Sequence, residues 1–154
     1  MRDLGTRLYI EGDYDDSVKH YTKAADLGDL EAHNQLGWMY WNGVVVEKDE
    51  EKGVYHYEKA AIGGHPRARH VLGCKEVNNG NIERAVKHFI IAANLGDEGS
   101  MKALWVEFHD GNITKEDLES TLRTHKAAID AMKSPEREAA AAWRERQRGA
   151  WRRN

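Results

Sequence analysis

The chain has 154 residues, enough for one domain, of which 40% are hydrophobic and 32% charged. Its net charge of −3 singles out no partner class. The one cysteine, Cys74, excludes an internal disulfide and a cysteine-based zinc site, and no apolar run is long enough for a signal peptide or a membrane span.

A phrase recurs along the chain. VKHYTKAADLGD starts at Val18, VYHYEKAAIGGH at Val54 and VKHFIIAANLGD at Val86. The double alanines Ala24-Ala25, Ala60-Ala61 and Ala92-Ala93 align, 36 and 32 residues apart. Leu-Gly pairs recur at Leu4-Gly5, Leu36-Gly37 and Leu72-Gly73. A period of this size marks stacked supersecondary units that cannot bury their apolar faces singly. Each unit reads as two helices: helix A carries the Leu-Gly pair and helix B the double alanine.

In chain order, the pattern predicts helices over 2–11, 14–27, 30–42, 50–62, 66–78, 82–95 and 98–110. The first helix A is short, because Leu4 already holds the middle of the pattern, so the chain enters its first repeat part-way. Gly28 and Gly96 sit where a helix C-terminus needs a left-handed residue. Asp29 and Asp97 follow as N-caps of the next helix A, and Pro66 takes a first helical position. Asp13, Asp49 and Asn81 stand at the starts of the B helices. Ala32, Leu36 and Tyr40 make one apolar stripe, and Val18, Tyr21 and Ala25 the matching one. Small residues let the two axes approach, and the hairpins then stack.

After Gly111 the period ends. Thr114 and Asp117 read as a capping pair for an amphipathic helix with Leu118, Leu122, Ile129 and Met132 on one face. This accounts for Thr114 better than the Asn112-Ile113-Thr114 glycosylation pattern does. Ser134-Pro135-Glu136 restarts a helix. The organisation expected is repeats over 1–111, a capping helix over 112–133 and an exposed basic helix or tail over 134–154. The last twelve residues hold Arg144, Arg146, Arg148, Arg152 and Arg153 against Glu145, which leaves the rest of the chain near −7.

The stretch AHNQLGWMYWNGVVVEKDEEKGVYHYEKAAIGGH resembles a Sel-1-like repeat, a variant of the tetratricopeptide repeat. Ala32, Leu36, Gly37, Tyr40, Gly43, Val46, Asp49, Lys52, Tyr57, Ala60, Ala61 and Gly64 match its pattern. Val45 and Gly53 depart from it, replacing a loop glycine and a helix B alanine; the second substitution predicts a helix weaker by about 1 kcal/mol. The repeats and closing helix are also similar to Sel-1-like proteins of diatoms and related microbial eukaryotes. The resemblance implies an all-α superhelix, a solenoid of antiparallel hairpins, acting as an adaptor; no enzymatic activity or cofactor is expected, because no set of residues supplies a nucleophile, base or metal site. The expected location is cytoplasmic.

Candidate chemistry is sparse. His20, His56 and His88 share one helix B position, but successive hairpins lie about 10 Å apart, too far to share a zinc ion. A repeated packing or hydrogen-bonding role fits them better. His65 reads as a cap. His70 lies one turn before Cys74 and could depress its pKa, although no oxyanion site accompanies the pair. No serine stands in a Ser-x-x-Lys arrangement.

A surface is the stronger candidate. If helix A lines a concave groove, as in tetratricopeptide-like stacks, the groove rows are Thr6 and Tyr9; Glu31, Asn34, Trp38 and Trp41; Arg67, His70, Cys74 and Val77; and Lys102, Val106 and His109. Trp38 and Trp41 lie off the packing stripe, as aromatic anchors for a partner's peptide or helix would. The alternative site is the tail. There Trp143 and Trp151 could stack on single-stranded RNA while Arg144, Arg146, Arg148, Arg152 and Arg153 meet phosphate.

Overall fold

A computed structural model describes residues 2–133, 138–140 and 142–145, without the side chains of Arg2, Asp3 and Tyr9. The repeats and the closing helix form α1 (Arg2–Glu11), α2 (Tyr14–Asp26), α3 (Leu30–Asn42), α4 (Glu50–Ile62), α5 (Pro66–Asn78), α6 (Ile82–Asn94), α7 (Glu98–His109) and α8 (Lys115–Met132). Each start falls where the sequence places it. Three ends fall one residue earlier, because Leu27, Leu95 and Asp110 act as C-caps.

The caps divide into two kinds. Asp29, Asp49 and Asp97 accept the N–H groups of Ala32, Lys52 and Ser100 at 2.9, 2.9 and 2.7 Å. His65 caps α5 through Nδ1, which accepts from Ala68 N at 3.1 Å. Thr114 accepts from Asp117 N at 3.1 Å and donates to its carboxylate at 2.7 Å. Asp13 and Asn81 occupy N-cap positions without a side-chain cap bond. Asn81 instead donates to the Glu76 carboxylate at 2.8 Å, which ties the α5–α6 turn together.

Within each hairpin a helix A glycine receives a helix B aromatic ring. A Cβ on Gly37 would lie 2.9 Å from Tyr57, and one on Gly73 would lie 2.6 Å from Phe89. Between hairpins lie the cores. One joins Tyr21, Ala24 and Ala25 of α2 to Ala32, Leu36 and Met39 of α3. The next joins Tyr57, Ala60 and Ala61 of α4 to Ala68 and Leu72 of α5. The third joins Phe89 and Ala93 of α6 to Met101 and Leu104 of α7, and is closed by Ile113 and Leu118. Stacking buries what one hairpin leaves exposed, which is why the phrase is repeated.

The end of the stack has a local cause. Where the earlier A helices carry Leu-Gly, α7 carries Leu104-Trp105, and the indole is 50% exposed. No aromatic from a following helix can enter there, so α8 packs against α6 as well as α7. It also completes a hydrogen-bond series. The terminal carbonyls of α4 and α6 bond Arg69 Nη2 at Ala61 (2.9 Å) and, from α8, His125 Nδ1 at Ala93 (2.8 Å). Met101 holds the position of Arg69 and cannot donate, so α8 supplies the donor.

Both departures from the repeat pattern have structural consequences. Val45 has φ of 70°, the only positive φ outside glycine among the described residues, so the loop keeps the glycine conformation with a β-branched residue in it. Gly53 is required by closeness: a Cβ there would sit 2.9 Å from Trp41 N and 3.1 Å from Gly37 O. Its low helix propensity accompanies tight α3–α4 packing. The predicted restart at Ser134-Pro135-Glu136 lies outside the described residues, and residues 138–140 and 142–145 are helical.

Candidate functional site

The proposed groove residues fall into three environments. Trp38, Arg67, Lys102, Val106 and His109 are exposed; Glu31, Trp41, His70, Cys74 and Val77 are half-buried; Asn34 is buried at 7%. Trp38, Cys74 and Val106 hold equivalent positions on α3, α5 and α7, so they form one row along the stack. Trp38 is 39% exposed and Val106 59%. Thr6 precedes them on α1, and its hydroxyl bonds Tyr21 at 3.0 Å. The side chain of Tyr9 lies outside the described residues.

Glu31 organises the first wall. Its carboxylate accepts from Gln35 at 2.7 Å and Asn34 at 3.3 Å, and lies 2.9 Å from His65 Nε2. Burial pushes its pKa up, but the bonds from His65, Gln35 and Asn34 outweigh it and hold the carboxyl below the ordinary value. His65 therefore bridges two hairpins, capping α5 with Nδ1 and reaching back to α3 with Nε2.

Trp41 is more core than surface. It packs on the core that holds Tyr57, Ala60 and Leu72, with its ring edge-on to Tyr57 at 6.4 Å. Its remaining face lines a cavity of about 320 Å³ with Glu50, Glu51, Val54 and Lys75. Val77 likewise packs against the third core. Lys75 is marked by no motif in the sequence, and the signal for the exposed Trp105 is the missing glycine after Leu104.

His70 lies at the centre of a polar cluster. Its Nδ1 is 2.8 Å from Ser100 Oγ and 3.4 Å from Asp97 Oδ2, and its Nε2 is 3.4 Å from Cys74 Sγ. Serine and aspartate meet the same ring nitrogen, so the imidazole cannot relay a proton between them as a catalytic triad requires. Ser100 is also fully buried. His70 does not activate Cys74: burial pushes the thiol pKa up, and the Asp97 charge adds to this, as suits an incidental pair.

The histidine ladder has three different roles. His20 Nδ1 lies 2.7 Å from Asp16 O, His56 Nδ1 lies 3.0 Å from His33 Nδ1, and His88 Nδ1 is buried without a partner. Among the described residues no group of three or more His, Cys, Asp or Glu could hold a metal. In the tail, Trp143 is 60% exposed and Arg144 Nε donates to Ala140 O at 3.2 Å. Arg146, Arg148, Trp151, Arg152 and Arg153 lie outside the described residues. No described helix is long and apolar enough to cross a membrane.

Comparison with known proteins follows the same architecture. The Sel1 repeat family model matches residues 1–29, 30–65 and 73–97. A Sel1 repeat protein from Oxalobacter formigenes superposes with a TM-score of 0.70 at 25% identity, over 83% of this chain and 56% of that one. A protective antigen of uropathogenic Escherichia coli strains, displaying an SLR fold, superposes with a TM-score of 0.66 at 26% identity, over 85% of this chain and 30% of that one. The chain thus spans about half and a third of the lengths of these two structures. No curated protein matches the sequence. Sel1 repeats are commonly protein–protein interaction scaffolds. The repeat matches cover more than half of the sequence and the stacked hairpins they predict are the ones observed, so this chain belongs to the Sel1 repeat family.

Proposed function

We propose that this protein is a scaffold that holds a peptide or helix of a partner protein along the helix A faces, with Trp38 and Val106 as apolar anchors. Trp38 carries the reading. A large aromatic side chain, 39% exposed, stands in a row that recurs from hairpin to hairpin. Such anchors supply most of the energy of groove-bound segments. Exposed Arg67 and Lys102 flank the row and suit a partner with acidic residues beside its apolar ones. Asn34 and Trp41 serve the wall itself, through Glu31 and Tyr57.

The test is recovery of partners from the source cell's lysate with and without nuclease, followed by the affinity of the recovered partner's minimal segment. Baits are the wild type, Trp38→Ala, and a chain ending at Ser134. The groove reading expects nuclease-resistant partners whose segment binds Trp38→Ala at least tenfold more weakly. Recovery that depends on nucleic acid and on the tail would overturn it in favour of RNA binding by Trp143, Trp151 and the tail arginines.

A further inference from the structure

Arg69 and His88 occupy, in the α5–α6 hairpin, the positions that His33 and His56 hold in α3–α4. In α3–α4 the pair is complete. There His33 Nδ1 meets His56 Nδ1 at 3.0 Å, so the two ring nitrogens satisfy each other. In α5–α6 this pairing is not made. Arg69 Nη2 donates to Ala61 O at 2.9 Å, whereas Arg69 Nε and His88 Nδ1 are both shut off from solvent without a partner. A guanidinium is permanently charged and cannot escape this by losing a proton. Arg69 has no carboxylate partner among the described residues.

These two side chains line a cavity of about 210 Å³ with Arg84, Lys87 and Ile91, and no acidic residue lines it. An adjoining cavity of about 240 Å³ shares Arg69, Arg84 and His88 and adds Lys75, Glu58 and Glu76. Arg84 reaches Glu76 at 3.5 Å, and Lys87 reaches Glu83 at 2.6 Å on the exposed surface. The Lys87–Glu83 pair is exposed on both sides and weak, which leaves Lys87 available, whereas Arg84, itself 68% exposed, shares its charge with the buried Glu76 carboxylate. His88 is kept neutral by burial and then by the Arg69 charge beside it. Three cations and a ring nitrogen thus line a small cavity that no carboxylate lines, while Glu76 and Glu58 line the adjoining cavity and Glu83 lies on the outer surface. This fits an oxyanion of high charge better than a carboxylate, because several donors must be satisfied at once.

We propose that this cavity between α5 and α6 is a phosphate-binding site, with Arg69 and Arg84 as guanidinium donors, Lys87 as the mobile cation and His88 closing the remaining side. The site is independent of the groove reading, since it uses none of the groove residues. Its phosphate could be carried on a phosphorylated peptide side chain or be the free anion; the recognition chemistry is the same.

The experiment titrates the full chain with inorganic phosphate, and separately with chloride at matched ionic strength. It follows the Arg69 Nε and His88 ring resonances by NMR. A phosphoserine peptide and its unphosphorylated counterpart form two further arms. The expected result is saturable shifts at Arg69 and His88 with phosphate and not with chloride. Affinity should fall at least tenfold in Arg84→Ala/Lys87→Ala, whose two side chains are 68% and 66% exposed, so its circular dichroism should match the wild type. Tighter binding of the phosphopeptide than of phosphate identifies a phosphorylated segment as the source, and equal binding identifies the free anion; each supports the site. Shifts that fail to saturate, that chloride reproduces, or that persist in the double variant mean an adventitious ion only and overturn the proposal.

Discussion

Phe89 of α6 occupies the space that a side chain on Gly73 of α5 would need: a Cβ at Gly73 would lie 2.6 Å from Phe89 Cε1. The equivalent distance at Gly5 is 3.4 Å from Tyr21, which is ordinary contact. Alanine gains about 1 kcal/mol in helix propensity over glycine, while overpacking a core costs about 1–3 kcal/mol. Gly73→Ala is therefore expected to lower the urea midpoint and Gly5→Ala to leave it level or raise it. Adding Phe89→Leu to Gly73→Ala should cost less than the sum of the two single changes.

Val45 pays for its left-handed backbone. That conformation costs a side-chain-bearing residue about 1–2 kcal/mol, more than the roughly 0.5–1 kcal/mol of extra entropy that a glycine would lose. Val45→Gly should raise the thermal midpoint measured by calorimetry. A lower midpoint would mean that the packing of the valine outweighs the strain.

The two groove tryptophans should separate. Trp38→Ala is expected to weaken partner binding with little loss of stability. Trp41→Ala removes a ring that packs on Tyr57 and should cost about 2–3 kcal/mol, below the roughly 3–5 kcal/mol of a fully buried tryptophan because this ring is only partly buried. Urea denaturation of both variants beside the binding assay distinguishes the roles. Equal destabilisation would reassign Trp38 to the core.

Stability should decline below neutrality. Burial, and then the neighbouring His33, push the His56 pKa down from 6.5 to about 4. His33 and His88 are also lowered, burial being the largest cause. The unfolded chain then binds more protons than the folded one between about pH 6.5 and 4, so stability is full above that window and falls as pH falls through it. Urea midpoints at pH 7.5 and 5 should show this, and the drop should be smaller in His56→Gln. An unchanged drop would place its origin in other groups.

Helix α8 is held to the stack by a polar and an apolar contact. His125→Ala leaves the Ala93 carbonyl without its 2.8 Å bond and is expected to cost about 1 kcal/mol. Leu118→Ala opens a cavity in the last core and should cost about 2–5 kcal/mol. Amide exchange should show α8 losing protection before α6 in both variants.

Much of this molecule was legible in local chemistry. The double alanines, Leu-Gly pairs and helix-ending glycines determined the number, order and hairpin pairing of the helices, because each specifies a contact or a dihedral angle within one repeat. Capping was legible where an aspartate or threonine had only its own helix to bond. It failed at Asn81, where Glu76 competes for the amide across the turn, and at Asp13, which nothing in the structure explains.

Tertiary structure decided what depends on two hairpins at once. Trp38 and Trp41 look alike in sequence, three residues apart and off the stripe, but only Trp41 meets the Tyr57 ring of the next helix. The Cys74–His70 spacing left the thiol's state open, and Asp97 and burial around it decide that its pKa is raised. The unmet Arg69 Nε and His88 Nδ1 had no signature, since an unmet hydrogen bond is a property of the packed neighbourhood. Helix periodicity encodes which residues face inward; only the stacking of one hairpin on the next decides which of them find partners.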